Sequence, residues 1–186
     1  MTTTPYPVTC LVTPAGVEYD LGGQTTSLIQ RAGKQTFTRP ADVTAYSAED
    51  VITNSTTPGS VVPLTFTGVT IAGGTGKGIL DSLIIARSTV GACQIRAHVL
   101  KTSHAVTNGD NGALVFTSID LDNYFGFVEV SLTSAVNSGA LGIGTGLGLP
   151  YSVTTDTLYI FLQAIAAFTP ASAEVFTVIP IFHRYQ

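Results

Sequence analysis

The residues of this chain that could take part in catalysis are its three histidines and its few carboxylates. His98, His104 and His183 do not stand at the two- or four-residue spacing of a metal-binding pair. No G-x-S-x-G motif marks a nucleophilic serine. Four glutamates could supply the carboxylate pair of a glycoside hydrolase: Glu18, Glu49, Glu129 and Glu174. The spacing of these glutamates in the sequence does not indicate which two would form such a pair. We therefore predict that the protein is not an enzyme and has no catalytic residue.

Two further runs could bind a phosphate or a metal ion. Residues 73–78 are rich in glycine, but the phosphate-loop motif needs glycine where Ile71 stands and serine or threonine where Gly78 stands. Four residues could offer oxygen ligands to calcium, although their spacing differs from that of an EF-hand loop: Asp110, Asn111, Asp120 and Asp122. Aspartate and asparagine also favour turns. We predict no cofactor and no metal ion.

The composition favours a β-protein with much of its surface buried in an assembly; the alternative is simply a rigid β-protein. Charged residues make up 11% of the chain, against about 25% in average proteins, so a free monomer would have a poorly charged surface. The sequence contains no cluster of lysine and arginine, so we predict that the protein does not bind nucleic acid. No apolar run reaches the length of a membrane helix, and no secretory signal opens the chain. Cys10 and Cys93 are predicted to be buried thiols.

The elements that would position these residues are strands. Alternating or apolar runs of strand length recur between turns rich in glycine and proline, and no run has helical periodicity. About eight strands at this spacing predict a β-sandwich of the jelly-roll type. The domain is expected to span residues 24–186, after an extended arm at residues 1–23 that packs against a neighbour or a shell.

Several local features of these runs make specific predictions. Residues 79–88 and 93–102 are predicted to form a hairpin. The glycine-rich residues 137–150 are predicted to form a mobile loop, or one ordered only by a partner. Pro180 predicts an edge strand or a bulge. Residues 158–168 and 175–182 are apolar on both faces, which predicts a homo-oligomer.

The most distinctive stretch, residues 36–51, is predicted to be a strand, an anchored corner and a second strand. Pro40 fixes φ in the turn, and Asp42 offers an acceptor to the backbone. Tyr46 can anchor the corner by its ring and its hydroxyl. Arg39 is expected to pair with Asp42 or Asp50, either inside the fold or at an interface. The candidate residues for a protein interface are Phe37, Arg39, Pro40, Asp42 and Tyr46.

Three parts of the chain resemble runs in small virion proteins of tailed bacteriophages. They are FTRPADVTAY at residues 37–46, RAHVL at 96–100 with DNGA at 110–113, and residues 158–172. The resemblance covers the chain from about Gln24 to the C-terminus. It implies a capsid decoration (cement) protein, which binds the phage major capsid protein on the surface of the head as a homotrimer. The alternative is a tail- or fibre-associated module that binds a host receptor or glycan. A head-to-tail connector is less favoured, because many such proteins contain long helices.

Overall fold

The computed structural model describes residues 10–13, 16–19, 27–71, 74–115, 123–136 and 139–185. In these ranges the regular structure is strand, apart from a single 3₁₀ turn at Pro58–Ser60. No helix there is long and apolar enough to cross a membrane. The strands are β1 Cys10–Thr13, β2 Gly16–Tyr19, β3 Ser27–Arg31, β4 Gln35–Thr38, β5 Val51–Ile52, β6 Leu64–Thr67, β7 Gly76–Arg87, β8 Cys93–Leu100, β9 Tyr124–Leu132, β10 Ser134–Val136, β11 Gly139–Gly144, β12 Leu149–Val153, β13 Thr157–Ala164 and β14 Val175–Tyr185.

Two antiparallel sheets form the body of the protein. The β7–β14 sheet has the order β10-β11-β7-β14-β3, with β12 also paired to β7 and β4 also paired to β14. The β8–β13 sheet has the order β5-β13-β8-β9, with β6 also paired to β13. The pairs β3 and β4, β5 and β6, and β11 and β12 therefore each fill one position of a sheet.

The strand order is that of an eight-stranded jelly roll. With the short marginal strand β10 set aside, the remaining eight positions, numbered along the chain, lie in the order 1-8-3-6 in the β7–β14 sheet and 2-7-4-5 in the β8–β13 sheet. The chain thus passes back and forth between two sheets, and its first and last positions are neighbours. This confirms the predicted all-β fold and its jelly-roll type.

The core lies between the two sheets and follows the alternation along each strand. On β14, Phe176, Val178 and Phe182 are fully buried, and on β13 Leu158, Ile160 and Leu162 oppose them in the same core cluster. Burying a side chain of this size contributes about 1.5–3 kcal/mol. Alternation therefore fixes which face of each strand turns inward.

The predicted hairpin of residues 79–88 and 93–102 is wrong. β7 and β8 are long strands as expected, but they belong to different sheets. β7 pairs with β14, β11 and β12, whereas β8 pairs with β13 and β9. Both strands turn their apolar residues toward the same core, so the alternation could not distinguish a hairpin from a crossing between sheets.

The prediction of a mobile loop at residues 137–150 is also wrong for the residues that the structure describes. β11 and β12 pair with β7 along most of its length. Glycine is needed at Gly142, where a Cβ atom would collide with the carbonyl oxygen of Ser131 on the opposite sheet. Gly146 and Gly148, between the strands, have positive φ values of 62° and 60°. The glycines here permit close packing and a turn.

Pro180 lies in the interior of a sheet, so the edge position that it suggested is wrong and the bulge is confirmed. β14 pairs with β7 on one side and with β3 and β4 on the other, and its register with β7 shifts between Ile181 and Phe182. The pairing with β4 ends at Val178 and that with β3 begins at Ile181. Pro180 therefore falls in the gap between two short partner strands.

The first described strands form a sheet of their own. β1 and β2 pair antiparallel, and neither is hydrogen-bonded to a strand of the two larger sheets. Residues 1–9, 14–15 and 20–26 lie outside the described residues. The expected packing of the arm against a neighbour or a shell stays a prediction.

Gly142→Ala tests the close approach of β11 to the opposite sheet. The added Cβ meets backbone, which cannot rotate away, so we expect the free energy of unfolding to fall by about 1–3 kcal/mol. Gly33→Ala is the control, because a Cβ there meets nothing within 4 Å. Thermal and denaturant unfolding of both variants measure the difference. Equal stability of the two would contradict the described packing.

Candidate functional site

The corner after β4 is a turn held by its own backbone. The Asp42 amide donates to the Pro40 carbonyl at 2.9 Å, and the Thr44 amide donates to Asp42 Oδ1 at 3.0 Å. The hydrogen bond from Thr44 and the neighbouring Arg39 lower the pKa of Asp42. The predicted turn chemistry of this segment is therefore confirmed, and the chain continues from the turn to β5.

Arg39 lies inside the subunit, with no exposed side-chain surface. Its Nε donates to the Tyr46 hydroxyl at 2.9 Å, and Nη1 donates to the carbonyl oxygens of Asp42 at 2.7 Å and Ala171 at 3.3 Å. Nη2 donates to Asp42 Oδ1 at 3.1 Å and to Asp110 Oδ2 at 2.8 Å. All three nitrogens of the guanidinium group are thus hydrogen-bonded, as a buried arginine requires.

Asp110 is the buried partner of Arg39, and the sequence analysis did not assign it that role. Its carboxylate is fully buried, and Oδ1 accepts from the Tyr46 hydroxyl at 2.7 Å and from the Thr53 amide at 2.8 Å. Burial and the adjacent carboxylate raise the pKa of Tyr46, which keeps its hydroxyl protonated as a donor. Asp50, the other expected partner of Arg39, instead accepts from the Ser47 amide.

A second buried ion pair lies beside the first. Arg87 Nε donates to Glu174 Oε1 at 2.6 Å, and both side chains are almost fully buried. Glu174 also holds the corner through its backbone, because its carbonyl accepts from the Arg39 amide at 3.0 Å. Cys93 is a free buried thiol, as predicted; burial raises its pKa, against the opposing effect of Arg87. The side chain of Cys10 lies outside the described residues.

Two aromatic rings fill the space between the two arginines. The Tyr46 and Phe168 rings are 4.9 Å apart, centroid to centroid. Arg39 Cζ lies 5.2 Å from the Tyr46 centroid, and Arg87 Cζ lies 4.9 Å from the Phe168 centroid. Each cation–π contact of this kind contributes about 0.5–2 kcal/mol. We call the group the corner cluster; its members are Arg39, Tyr46, Arg87, Asp110, Phe168 and Glu174.

The corner cluster is suited to holding strands together and not to catalysis. Every charge in it faces an opposite charge, and its hydroxyl is hydrogen-bonded on both sides. It joins the end of β7 to the segments that follow β4, β8 and β13 and to the residue that precedes β14. Asp110, which could have bound calcium, has its oxygens occupied by protein donors. In the described part of the chain, no three His, Cys, Asp or Glu side chains form a group that could hold a metal ion.

The five interface candidates are divided by this geometry. Arg39 and Tyr46 are buried in the subunit, so their side chains act on any partner only through the shape of the corner. Phe37 is half-buried and stacks on Phe176 with centroids 5.6 Å apart. Pro40 and Asp42 are half-buried at the surface of the turn. An interface role for these residues stays a prediction.

The outer face of the β8–β13 sheet is polar. His98 Nε2 lies 2.9 Å from Gln163 Oε1, which can only accept, so Nε2 carries the proton and Nδ1 accepts from the Tyr124 hydroxyl at 2.9 Å. Arg96 donates to Glu129 at 2.7 Å. Burial lowers the pKa of His98, which stays neutral in this arrangement.

The same face is partly covered by the chain itself. Phe161 on β13 forms a second buried cluster with Leu100 and with Val106 from the loop after β8. Phe161, an outward apolar residue of the run at residues 158–168, is therefore covered within the subunit. The homo-oligomer was predicted partly because β13 has apolar residues on both faces. At Phe161 that reasoning is wrong, because residues of the same subunit cover the side chain.

The outer face of the β7–β14 sheet carries a group of isoleucines at its centre. The register places Ile143 opposite Ile84 and Ile84 opposite Ile179, in one row across three strands. The isoleucines of this face alternate with core residues on their strands. We call the outward side the apolar outer face; its isoleucines are Ile29, Ile79, Ile84, Ile143, Ile179 and Ile181.

Comparisons with known proteins gave matches among solved structures only. No protein-family model and no curated protein sequence matches the chain. A chain of the cyanophage Pam1 capsid asymmetric unit is 14% identical, with all of both chains covered and a TM-score of 0.34. A chain of Desmodium yellow mottle tymovirus is 10% identical over 100% of this chain and 95% of that one, with a TM-score of 0.29. A chain of turnip yellow mosaic virus is 14% identical over 98% and 90%, with a TM-score of 0.27. The jelly-roll assignment rests on the strand order and not on these low scores.

Asp110→Asn tests the buried ion pair of the corner cluster. Removing the charge leaves the Arg39 guanidinium buried without its carboxylate, and we expect a loss of about 3–5 kcal/mol in the free energy of unfolding. Asp42→Asn is the matched control: its side chain is 32% exposed, so its ion pair contributes about 0–1 kcal/mol. Denaturant unfolding of both variants gives the comparison. Similar losses in the two would show that Asp110 is not the principal partner.

A second prediction concerns pH and His98. Because its folded pKa is lowered from 6.5, the unfolded chain binds more protons between the two pKa values, and stability falls as the pH drops through 6.5 toward the folded value. We expect this part of the pH dependence to disappear in His98→Asn. Free energies of unfolding measured across that range in both proteins test it. An unchanged slope in the variant would contradict the burial of neutral His98.

Proposed function

We propose that this protein is a non-enzymatic structural protein of a bacteriophage particle, and specifically a decoration (cement) protein on the surface of the head. Its partner would be the phage major capsid protein, and its own copies would assemble, as a trimer by the resemblance. It would be made in the host cytoplasm and act on the virion. A jelly roll by itself does not determine a function, so the proposal needs support from particular residues.

The observation that carries the proposal is the convergence of the phage-like runs on one place. Residues 37–46 contribute Arg39 and Tyr46 to the corner cluster, residues 110–113 contribute Asp110, and residues 158–172 contribute Phe168. These runs are far apart in the sequence and meet around one buried ion pair. The resemblance therefore follows the residues that hold the sandwich together, as expected if this chain shares its architecture with those virion proteins.

The surface supports the same proposal. The chain has few charges, and one sheet carries six isoleucines on its outer face, which is typical of a subunit that is covered in an assembly. A decoration protein would bind by shape-matched area, multiplied by the symmetry of the shell. The hydrogen bonds and charges of the corner cluster are satisfied internally, so the cluster serves to keep that surface rigid.

The number of copies in each particle tests the proposal. We expect purified virions to contain this protein in amounts comparable with the major capsid protein, measured by gel densitometry and mass spectrometry. Particles that lack it should lose DNA at a lower temperature, because a cement protein supports the shell against internal pressure. Adding the purified protein back should restore the heat resistance.

A few copies located at the tail would contradict the proposal and would favour the receptor- or glycan-binding alternative. Particles without the protein that retain full heat resistance would contradict the stabilising role. An unrelated soluble protein added at the same concentration is the control for the restoration.

A further inference from the structure

The apolar outer face is a continuous surface on one side of the sandwich. Ile29 is 69% exposed on β3, and Ile143 is 54% exposed on β11, so the two lie near opposite margins of the sheet. Between them, Ile84 and Ile181 are half-buried by their neighbours on the same face. Ile79 lies opposite His183, which in turn lies opposite Ile29, so this row also crosses the sheet.

The opposite side of the sandwich offers no equal surface in the described residues. On the β8–β13 sheet, the loop after β8 covers Phe161, and the remaining outward positions carry ion pairs and hydrogen bonds around Arg96 and Gln163. Phe127, exposed there, lies under the Arg96 guanidinium. The two outer faces therefore differ in chemistry: that of the β7–β14 sheet has isoleucines at its centre, bordered by polar residues such as Thr36, Thr38 and Arg31.

The size of the apolar outer face fits a stable protein–protein contact. Four strand positions and the length of β14 give the whole face, with its isoleucine centre and polar border, about 19 Å by about 36 Å, or about 700 Å². A stable interface of ordinary size buries about 800 Å² on each partner. A face of this area, left open to water, would make a free subunit prone to aggregation.

The exposed charges on this face, Arg31 and Lys77, lie at its margins. Charges at the rim of a contact surface stay solvated when two copies pair. The apolar centre excludes a strongly charged partner such as nucleic acid.

We propose that the apolar outer face is the surface through which copies of this chain bind one another. The proposal rests on the proposed function in one respect, the place where the subunit is made. A subunit synthesised in the cytoplasm meets its own copies before it reaches a shell. Another copy is therefore the partner that keeps the face covered. Pairing of the face with itself gives a dimer, whereas pairing with a different surface of the next copy gives a closed ring such as a trimer.

The test uses the purified full-length protein and two double variants matched in exposure and charge. Ile29→Glu with Ile143→Glu places carboxylates on the apolar outer face. Val62→Glu with Val90→Glu places them elsewhere, at residues that are 65% and 54% exposed. Sedimentation velocity over a range of concentrations gives the mass of each protein, and melting temperatures show that each is folded.

We expect the wild-type chain and the Val62/Val90 variant to form the same dimer or trimer. The Ile29/Ile143 variant should dissociate, with Kd raised about tenfold or more, because a buried unpaired carboxylate is costly. If that variant does not fold, Ile143→Thr keeps a β-branched residue at an exposed position and should still weaken association several-fold.

Three results would overturn the inference: a monomeric wild-type chain at all concentrations, an Ile29/Ile143 variant that stays assembled, or equal dissociation of the control. These outcomes are separate from the copy number on virions. A monomer that coats the shell would overturn only the self-association, whereas an oligomer absent from the shell would overturn only the proposed function.

Discussion

The buried ion pair of Arg39 and Asp110 is the interaction on which the arrangement of this jelly roll depends. A guanidinium group without exposed surface must have its donors satisfied by the protein, since leaving a buried charge unpaired costs several kcal/mol. Satisfying Arg39 brings together the corner after β4, the loop after β8 and the turn before β14. Hydrophobic burial drives the two sheets together, but it does not by itself fix how these connections meet at the end of the sandwich. The ion pair supplies that specificity.

Once the end of the sandwich is fixed, the two sheets have different surroundings. The loop that carries Asp110 also carries Val106 over the outer face of the β8–β13 sheet, where it covers Phe161. No comparable loop among the described residues covers the outward isoleucines of the β7–β14 sheet. Among the described residues, this loop covers part of one outer face, and no comparable cover lies over the isoleucines of the other. This asymmetry distinguishes the surface proposed for contact with other copies from the rest of the molecule.

The sequence predicted what depends on neighbouring residues and missed what depends on distant ones. Alternation identified the strands and the inward residues, and Pro40, Asp42 and Tyr46 identified the anchored corner, because turn chemistry is local. Asp110 was missed as the partner of Arg39, since nothing in a single sequence relates residues 71 positions apart. Its one available signal was that DNGA resembles the same kind of protein as FTRPADVTAY. Glycines at residues 139–148 favoured a loop because their purpose, the close approach of β11 to Ser131, lies in another sheet.

The adjacency of the first and last positions of the jelly roll has a consequence for biosynthesis. Among the described strands, β3 and β4 pair with β14, which is synthesised more than 130 residues after them. The hydrogen bond from the Arg39 amide to the Glu174 carbonyl likewise cannot form until Glu174 has been synthesised. Pairing over so long a stretch of chain is slow, and strands that await their partners expose aggregation-prone edges. A chain interrupted during translation therefore cannot close its sandwich, and the topology itself restricts the native fold to chains whose synthesis has passed β14.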